Sequence, residues 1–437
     1  MAVPDGKAAG ICRMQCIDSQ PRRGTNMKRA TLATLAISVS MVLLFARGAS
    51  AQDWPQWRGP NRDAKATGFQ VPDTWPAELT KRWSVEVGDG VATPALVGDK
   101  LYVFSRQEAN EIVRCLNAAT GEEVWKYQYE SRPADGPASR FGGPRSSPTV
   151  TGGKVVTLGA RGIVSCLDAA TGDFLWQRNE FDSWPRFYAS SSPLIVDDVC
   201  IVQLGGERDG GIFAYDLASG EPKWRWTGDG PGYGSPVPMA VNDTKAVVAL
   251  TSRNVVSVSL ESGSLLWQTA YAAPPRGYNA STPIVDGEVL CYAGSGRGTK
   301  AVKLAAEGDK LAASDVWAND ANSVQYNSPV LKDGFIYGIT NDDKLFCINA
   351  ETGETAWTQA FPERSRQRGY GSVVDAGSVM VGLNPSSQLV VFEPTGMQYK
   401  QLASYTVAET ETFAYPILSA GRIFIKDQDS VTLWTTE

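Results

Sequence analysis

Leu167-Asp168-Ala169-Ala170-Thr171-Gly172-Asp173-Phe174-Leu175-Trp176 reads as two strands joined by a tight turn. Ser165 to Asp168 suits a strand, and Ala170-Thr171-Gly172 carries turn chemistry, with Gly172 free to take φ > 0. Phe174 to Trp176 opens the returning strand, where Trp supplies a large apolar face. The phrase recurs as Leu116-Asn117-Ala118-Ala119-Thr120-Gly121 with Trp125 and as Tyr215-Asp216-Leu217-Ala218-Ser219-Gly220 with Trp224. It returns as Ser259-Leu260-Glu261-Ser262-Gly263 with Trp267 and as Ile348-Asn349-Ala350-Glu351-Thr352-Gly353 with Trp357. In every copy the Trp stands four residues after the Gly. Self-similarity of this kind marks a repeat architecture.

A second marker precedes each phrase, a Ser/Thr-Pro that opens an apolar run. The copies are Thr93-Pro94, Ser147-Pro148, Ser192-Pro193, Ser235-Pro236, Thr282-Pro283 and Ser328-Pro329, then a degenerate Ser372-Val373 and finally Tyr415-Pro416. Their mean spacing, about 46 residues, falls near that of four-stranded propeller blades. One unit shows the pattern: strand A from Ser328, strand B over Phe335–Ile339, strand C over Lys344–Ile348 and strand D over Thr355–Ala360. Pro suits the first residue of a strand, where no ladder donor is needed.

The pattern predicts an all-β fold, an eight-bladed β-propeller of four-stranded antiparallel blades. The last unit, from Tyr415, has room for three strands only, while Leu79–Val87 near the front looks like an orphan strand D containing Trp83. Ring closure by pairing this N-terminal strand with the last blade follows, because it removes exposed edges. Blades five and seven are degenerate: Glu307-Gly308 and Thr395-Gly396 lack a Trp at the usual offset. Asp53–Pro76 precedes the ring and is expected to pack across it.

Composition narrows the chemistry. The 437 residues contain no histidine, which excludes a Ser-His-Asp triad, a His-ligated zinc and a Cys-x-x-Cys-His haem site within this chain. Met27-Lys28-Arg29, the apolar Leu32–Phe45 run and Ala49-Ser50-Ala51 have the form of a signal peptide. Residues 1–51 are therefore expected to be an upstream extension and signal peptide cleaved after Ala51, with Met1 or Met27 as the start. Residues 52–437 form the single propeller domain. Gln52, not Cys, stands directly after the cleavage site, so a periplasmic or secreted protein without a lipid anchor or membrane span is expected. Processing leaves 34 basic and 45 acidic residues, a net charge of −11 against −6 for the whole chain. That balance argues against nucleic-acid binding. Cys115, Cys166 and Cys347 share one repeat position, which predicts buried thiols rather than disulfides.

The Thr/Ser-Gly-x-x-x-Trp phrase resembles the tryptophan-docking repeat of pyrroloquinoline-quinone (PQQ) type propellers, over essentially all of Asp53–Glu437. The head, Asp53-Trp54-Pro55-Gln56-Trp57-Arg58-Gly59-Pro60-Asn61-Arg62, resembles the opening of many exported proteins of that type. The resemblance implies that Trp83, Trp125, Trp176, Trp224, Trp267 and Trp357 are structural and staple one blade to the next. It also implies two functional branches. Quinoprotein dehydrogenases use PQQ with calcium; BamB-like scaffolds of outer-membrane protein assembly bind protein instead. The dehydrogenase branch needs a base carboxylate and oxygen ligands for calcium. Its longer members carry adjacent Cys residues, which this chain lacks, and its soluble sugar-oxidising members use a His base. These absences argue against catalysis, and no catalytic residue is assigned.

Loops from strand D to the next strand A, and from B to C, should gather at one channel mouth. The first set carries Arg140, Arg145, Arg186, Tyr188, Tyr233, Arg276, Tyr278, Tyr326, Arg368 and Tyr370. The second adds Arg161, Arg208, Arg253 and Arg297. Arg forks onto carboxylates and Tyr offers a stacking face with a polar tip. The expected function is a monomeric, cofactor-free propeller that binds an envelope protein, peptide or other extracytoplasmic ligand there. The alternatives are a PQQ-dependent alcohol or sugar oxidoreductase and a BamB-like assembly scaffold.

Overall fold

The computed structural model describes residues 52–363, 365 and 367–437; the expected signal peptide lies outside them. Eight four-stranded antiparallel sheets follow one another. Blade one comprises β1 (Ala95–Val97), β2 (Lys100–Gln107), β3 (Asn110–Asn117) and β4 (Glu123–Glu130). Six further blades repeat this order through Thr406. The eighth holds Ile417–Ser419, Arg422–Lys426 and Ser430–Thr435, and its outer strand is Thr80–Glu86 from the front of the chain. Ser84 and Thr432 hydrogen-bond across that seam at 2.8 Å. Lys426 fastens it further, its buried Nζ donating to the carbonyls of Gly90 (2.9 Å) and Asp427 (2.7 Å).

The quoted phrase has a separate physical task at each position. Its Asn or Asp caps the turn: Asp168 Oδ1 accepts the N–H groups of Ala170 and Thr171, and Asn117, Asp216 and Asn349 do likewise. Its Gly takes φ between 69° and 78° in the five copies. A Cβ on Gly172 would lie 2.5 Å from the Trp125 ring of the preceding blade, and one on Gly220 2.6 Å from Trp176. Each of Trp125, Trp176 and Trp224 thus lies on the bare turn of the next blade, not on its own. Its indole N–H caps the same turn, Trp176 Nε1 donating to Leu217 O at 3.0 Å and Trp224 Nε1 to Leu260 O at 2.9 Å. A β-bulge at this position, between Cys166 and Leu167 in blade two, recurs in blades one and three to seven.

Blade five corrects the sequence reading. Its C and D strands run long, Thr299–Glu307 and Lys310–Asn319, so the turn moves outward and the offset from Gly308 fails. The docking residue is present as Trp317. It pairs with Ala301 just before the bulge, covers Gly353 and donates to Ala350 O at 2.8 Å. Blade seven has Ala403 at this position. The reason is that blade eight draws its C and D strands from opposite ends of the chain and offers no hairpin turn to cover.

The Ser/Thr of the second marker links blades on the inside. Ser147, Ser192, Ser235 and Thr282 each donate their main-chain N–H to the marker hydroxyl of the next blade, and Tyr415 N donates to Thr93 Oγ1. The five cysteines of this region, Cys115, Cys166, Cys200, Cys291 and Cys347, are buried free thiols.

The head closes the ring's axis. Trp54 exchanges main-chain hydrogen bonds with Leu96, and Ala64 and Ala66 bond to Asp375. Arg58 and Arg62, 1% and 2% exposed, reach opposite sides of the ring: Arg58 donates to Pro329 O, Arg62 to Ser192 O and Pro193 O. Burial lowers both guanidinium pKa values, that of Arg62 to about 9, with the Arg58 charge adding to the effect there. Hydrogen bonds to carbonyl oxygens are what offset the cost of burying them. Trp57 follows, its indole N–H on Thr282 Oγ1 at 2.9 Å and its ring edge-on to Tyr415.

Candidate functional site: the cup at the channel mouth

Because the head occupies the axis, the mouth formed by the D-to-A connections is a cup of about 300 Å³. All eight connections contribute lining residues, from Val91 in the first to Phe413 in the last. Trp57, Ser235, Thr282 and Ser328 lie at its base. Its wall is aromatic and falls into two arcs. Tyr326 stacks on Tyr370 (centroids 4.3 Å apart), which meets Phe413 edge-on, which in turn meets Phe141. Phe187, Tyr233 and Tyr278 contact one another edge-on or tilted in the second arc. Edge-to-face contacts of this kind fix ring orientation as well as adding area.

Hydrogen bonds show which atoms are left for a ligand. Tyr233 Oη accepts the N–H of Phe187, and Tyr326 Oη accepts the Gln325 side-chain amide at 2.8 Å. Burial raises the pKa of Tyr233, Tyr326 and Tyr370, the last to about 12, so all three remain phenols at neutral pH. Arg145 donates to Gly143 O, Ala138 O and Phe141 O, bracing the loop it belongs to, and burial lowers its pKa. Arg140 stands over the Phe141 ring and is paired with Glu411.

Of the fourteen mouth residues read from sequence, Arg140, Arg145, Tyr233, Tyr278, Tyr326 and Tyr370 line the cup. The B-to-C arginines do not. Arg161 is drawn sideways onto Arg132 O, Pro133 O and Asp135 and stacks on Trp184 at 4.5 Å. Arg297 lies 3.8 Å over the Tyr271 ring and donates to Tyr271 O. Arg253 pairs with the buried Asp229, and Arg208 is exposed. Tyr188 is buried, its hydroxyl on Asp135 at 2.7 Å. Arg186, Arg276 and Arg368 are exposed outside the lining. Sequence reasoning missed the floor. Trp57 and the marker hydroxyls of Ser235, Thr282 and Ser328 stand out in the chain only as parts of the head and of a repeat, and the ring geometry alone turns them toward the mouth.

The donor set can be tested against PQQ with calcium. Calcium requires several oxygen ligands, carboxylates prominent among them, and the quinone chemistry requires a nearby base. Aspartate and glutamate are absent from the cup lining, and among the described residues no three His, Cys, Asp or Glu side chains are grouped to hold a metal. The cup does not fit that cofactor pair.

An eight-bladed ring with Trp-on-Gly docking between blades and a plugged axis defines a propeller of the PQQ-like repeat class. A family model described as outer membrane protein assembly factor BamB matches residues 109–359, more than half of the chain, and the chain belongs to that family. It is 24% identical to the outer membrane protein assembly factor BamB of Yersinia pestis over 298 residues, 64% of this chain and 70% of the relative. A quinohemoprotein alcohol dehydrogenase of Comamonas testosteroni is 28% identical over 219 residues, 48% of this chain but only 30% of that enzyme. Among solved structures, BamB from Moraxella catarrhalis superposes with a TM-score of 0.60 at 18% identity, covering 82% of this chain and 99% of that one.

Proposed function

We propose that this chain is a non-catalytic envelope scaffold, exported to the periplasm or beyond, that holds a protein or peptide partner in the cup. The observation that carries this is the cup itself: eight loops converge on an aromatic, hydroxyl-rich hollow whose lining has no carboxylate. Rigid aromatic anchors around a concave centre are the usual means of seizing a partner at low entropic cost. The relatives named as outer membrane protein assembly factors support an envelope partner. Among the described residues no helix is long and apolar enough to cross a membrane.

A photo-crosslinking amino acid placed at Tyr278, inside the cup, and at Leu402, on the outer edge of blade seven, tests the reading. Cross-links to an envelope protein from position 278 and not from 402 are expected. The reverse pattern would move the partner to the outer edge and end the cup's claim. N-terminal sequencing of the exported protein should give Gln52 as the first residue. The oxidoreductase alternative is tested by titrating PQQ with calcium: saturable, calcium-dependent stabilisation would restore it against the donor set described above.

A further inference from the structure

The floor of the cup has a definite hydrogen-bond polarity. A hydroxyl carries one proton and two lone pairs. Thr282 Oγ1 accepts two N–H groups, from Ser235 and from the Trp57 indole. It therefore has only its proton left to give. Ser235 Oγ accepts Ser192 N–H at 2.9 Å and keeps its proton for another acceptor; Ser328 Oγ accepts Thr282 N–H at 2.8 Å and shares its proton with the Tyr415 hydroxyl behind the floor. Higher up, Tyr233 and Tyr326 have likewise accepted an N–H and remain donors. Arg145, held by three carbonyl oxygens, adds positive charge to the wall, matched in part by Asp89 behind the lining. The cup is thus rich in donors, poor in acceptors and aromatic on its sides.

We propose that the cup is a carboxylate site, seating the oxygens on Ser235 and Thr282 and the attached apolar group against Tyr278, Tyr326 and Tyr370. An acid group on a small apolar body matches both the depth, closed by Trp57, and the chemistry of the hollow. Charge-assisted hydrogen bonds to a carboxylate are the strongest such a floor can form. The scaffold reading, on which this rests for its source, supplies a polypeptide C-terminus; a free aromatic acid presents the same chemistry.

Isothermal titration of the mature protein with the tripeptide Ala-Ala-Phe as free acid, the same peptide as C-terminal amide, and 3-phenylpropanoate tests the proposal. The free acid should bind at least about tenfold more tightly than the amide, a difference of ~1.4 kcal/mol. Binding of 3-phenylpropanoate as tight as that of the peptide acid would identify the free acid as the source; preference for the peptide would identify the chain end. Equal affinity for acid and amide, or no heat from either acid at millimolar concentration, overturns it. Ser235→Ala, which removes one floor donor and leaves the aromatic wall intact, should weaken the acid more than the amide. Partner cross-linking from position 278 without acid binding would defeat this inference alone. Acid binding without any cross-linked partner would defeat the scaffold reading alone.

Discussion

The rim where blades dock and the cup where loops converge are built on opposite principles. At the rim one solution is copied: Trp176 on Gly220, Trp224 on Gly263 and Trp317 on Gly353 differ little in contact or capping bond. In the cup the contributions vary from loop to loop: Arg140 and Phe141 come from one, Phe413 from another and Val91 from a third, while four supply a Tyr, three of them two residues before the marker and Tyr278 four before it. A repeated solution answers a repeated need, the sealing of one blade on the next. Variation from loop to loop answers a need that occurs once per molecule, which is what binding a single ligand requires. Changes at the rim should therefore cost stability, and changes in the cup should cost binding.

The largest effect is expected at Trp176. It is 6% exposed, donates to the next turn and covers Gly220. Trp176→Ala should lower stability by ~3–5 kcal/mol, read as a lower denaturant midpoint. Trp267 gives the contrast: half-buried, it faces the extended hairpin of blade five, where a Cβ on Gly308 would meet nothing within 4 Å. Trp267→Ala should cost clearly less. Equal losses would show that area alone, not docking on a turn, sets the contribution.

Lys426 gives the next effect through pH. Burial holds its pKa at about 8, below the free value of 10.5, despite the nearby Asp427, Asp429 and Asp89 charges. Between these values the unfolded chain binds more protons than the folded one, so stability should rise with pH over that window. The gain approaches roughly 3 kcal/mol by pH 10.5. The buried cysteines act in the opposite sense, since burial raises their folded pKa values, Cys115 to about 11. Subtracting the pH profile of Lys426→Met removes their contribution. A flat difference between pH 8 and 10.5 would contradict the shift.

Gly172→Ala separates two costs in one residue. The new Cβ meets the Trp125 ring at 2.5 Å and the backbone at φ +78° is strained for Ala, together roughly 1–3 kcal/mol. Gly98→Ala, at φ +59° with nothing within 4 Å, carries only the backbone part and should be the milder variant. If the two melt alike, Trp125 yields to the methyl and the turn does not need to be bare.

What could be read from sequence follows the same division. The Gly and Trp of each phrase are close in the chain, so blade number, strand order and the closing strand at Thr80–Glu86 are legible. Trp317 escapes the pattern because its Gly is displaced by a longer hairpin, although it stands as far ahead of Ser328 as Trp224 does ahead of Ser235. For the cup, sequence can place loops at one mouth but not aim their side chains. Arg161 has the composition of a mouth residue, yet nearby carbonyls and Trp184 are better partners for it than open solvent. The floor depends on Trp57 meeting Thr282, residues 225 apart in the chain, and no local pattern encodes that contact.

Tyr278→Ala should have the smallest effect on stability and the clearest on function. The ring is half-buried and touches Phe187 and Tyr233 edge-on, so about 1 kcal/mol is at stake in the fold. It takes no part in blade docking, and the cup opens rather than collapses when it is removed, because the opposing arc is held by its own stacked pair of Tyr326 and Tyr370. Capture of an envelope partner should fall at least tenfold while the denaturant midpoint barely moves. The converse variant is Trp176→Ala, assayed at a temperature where it stays folded: capture should persist there, because the cup lies away from the rim. Loss of capture in both variants would mean that the blades move as one body and that rim and cup are not separable.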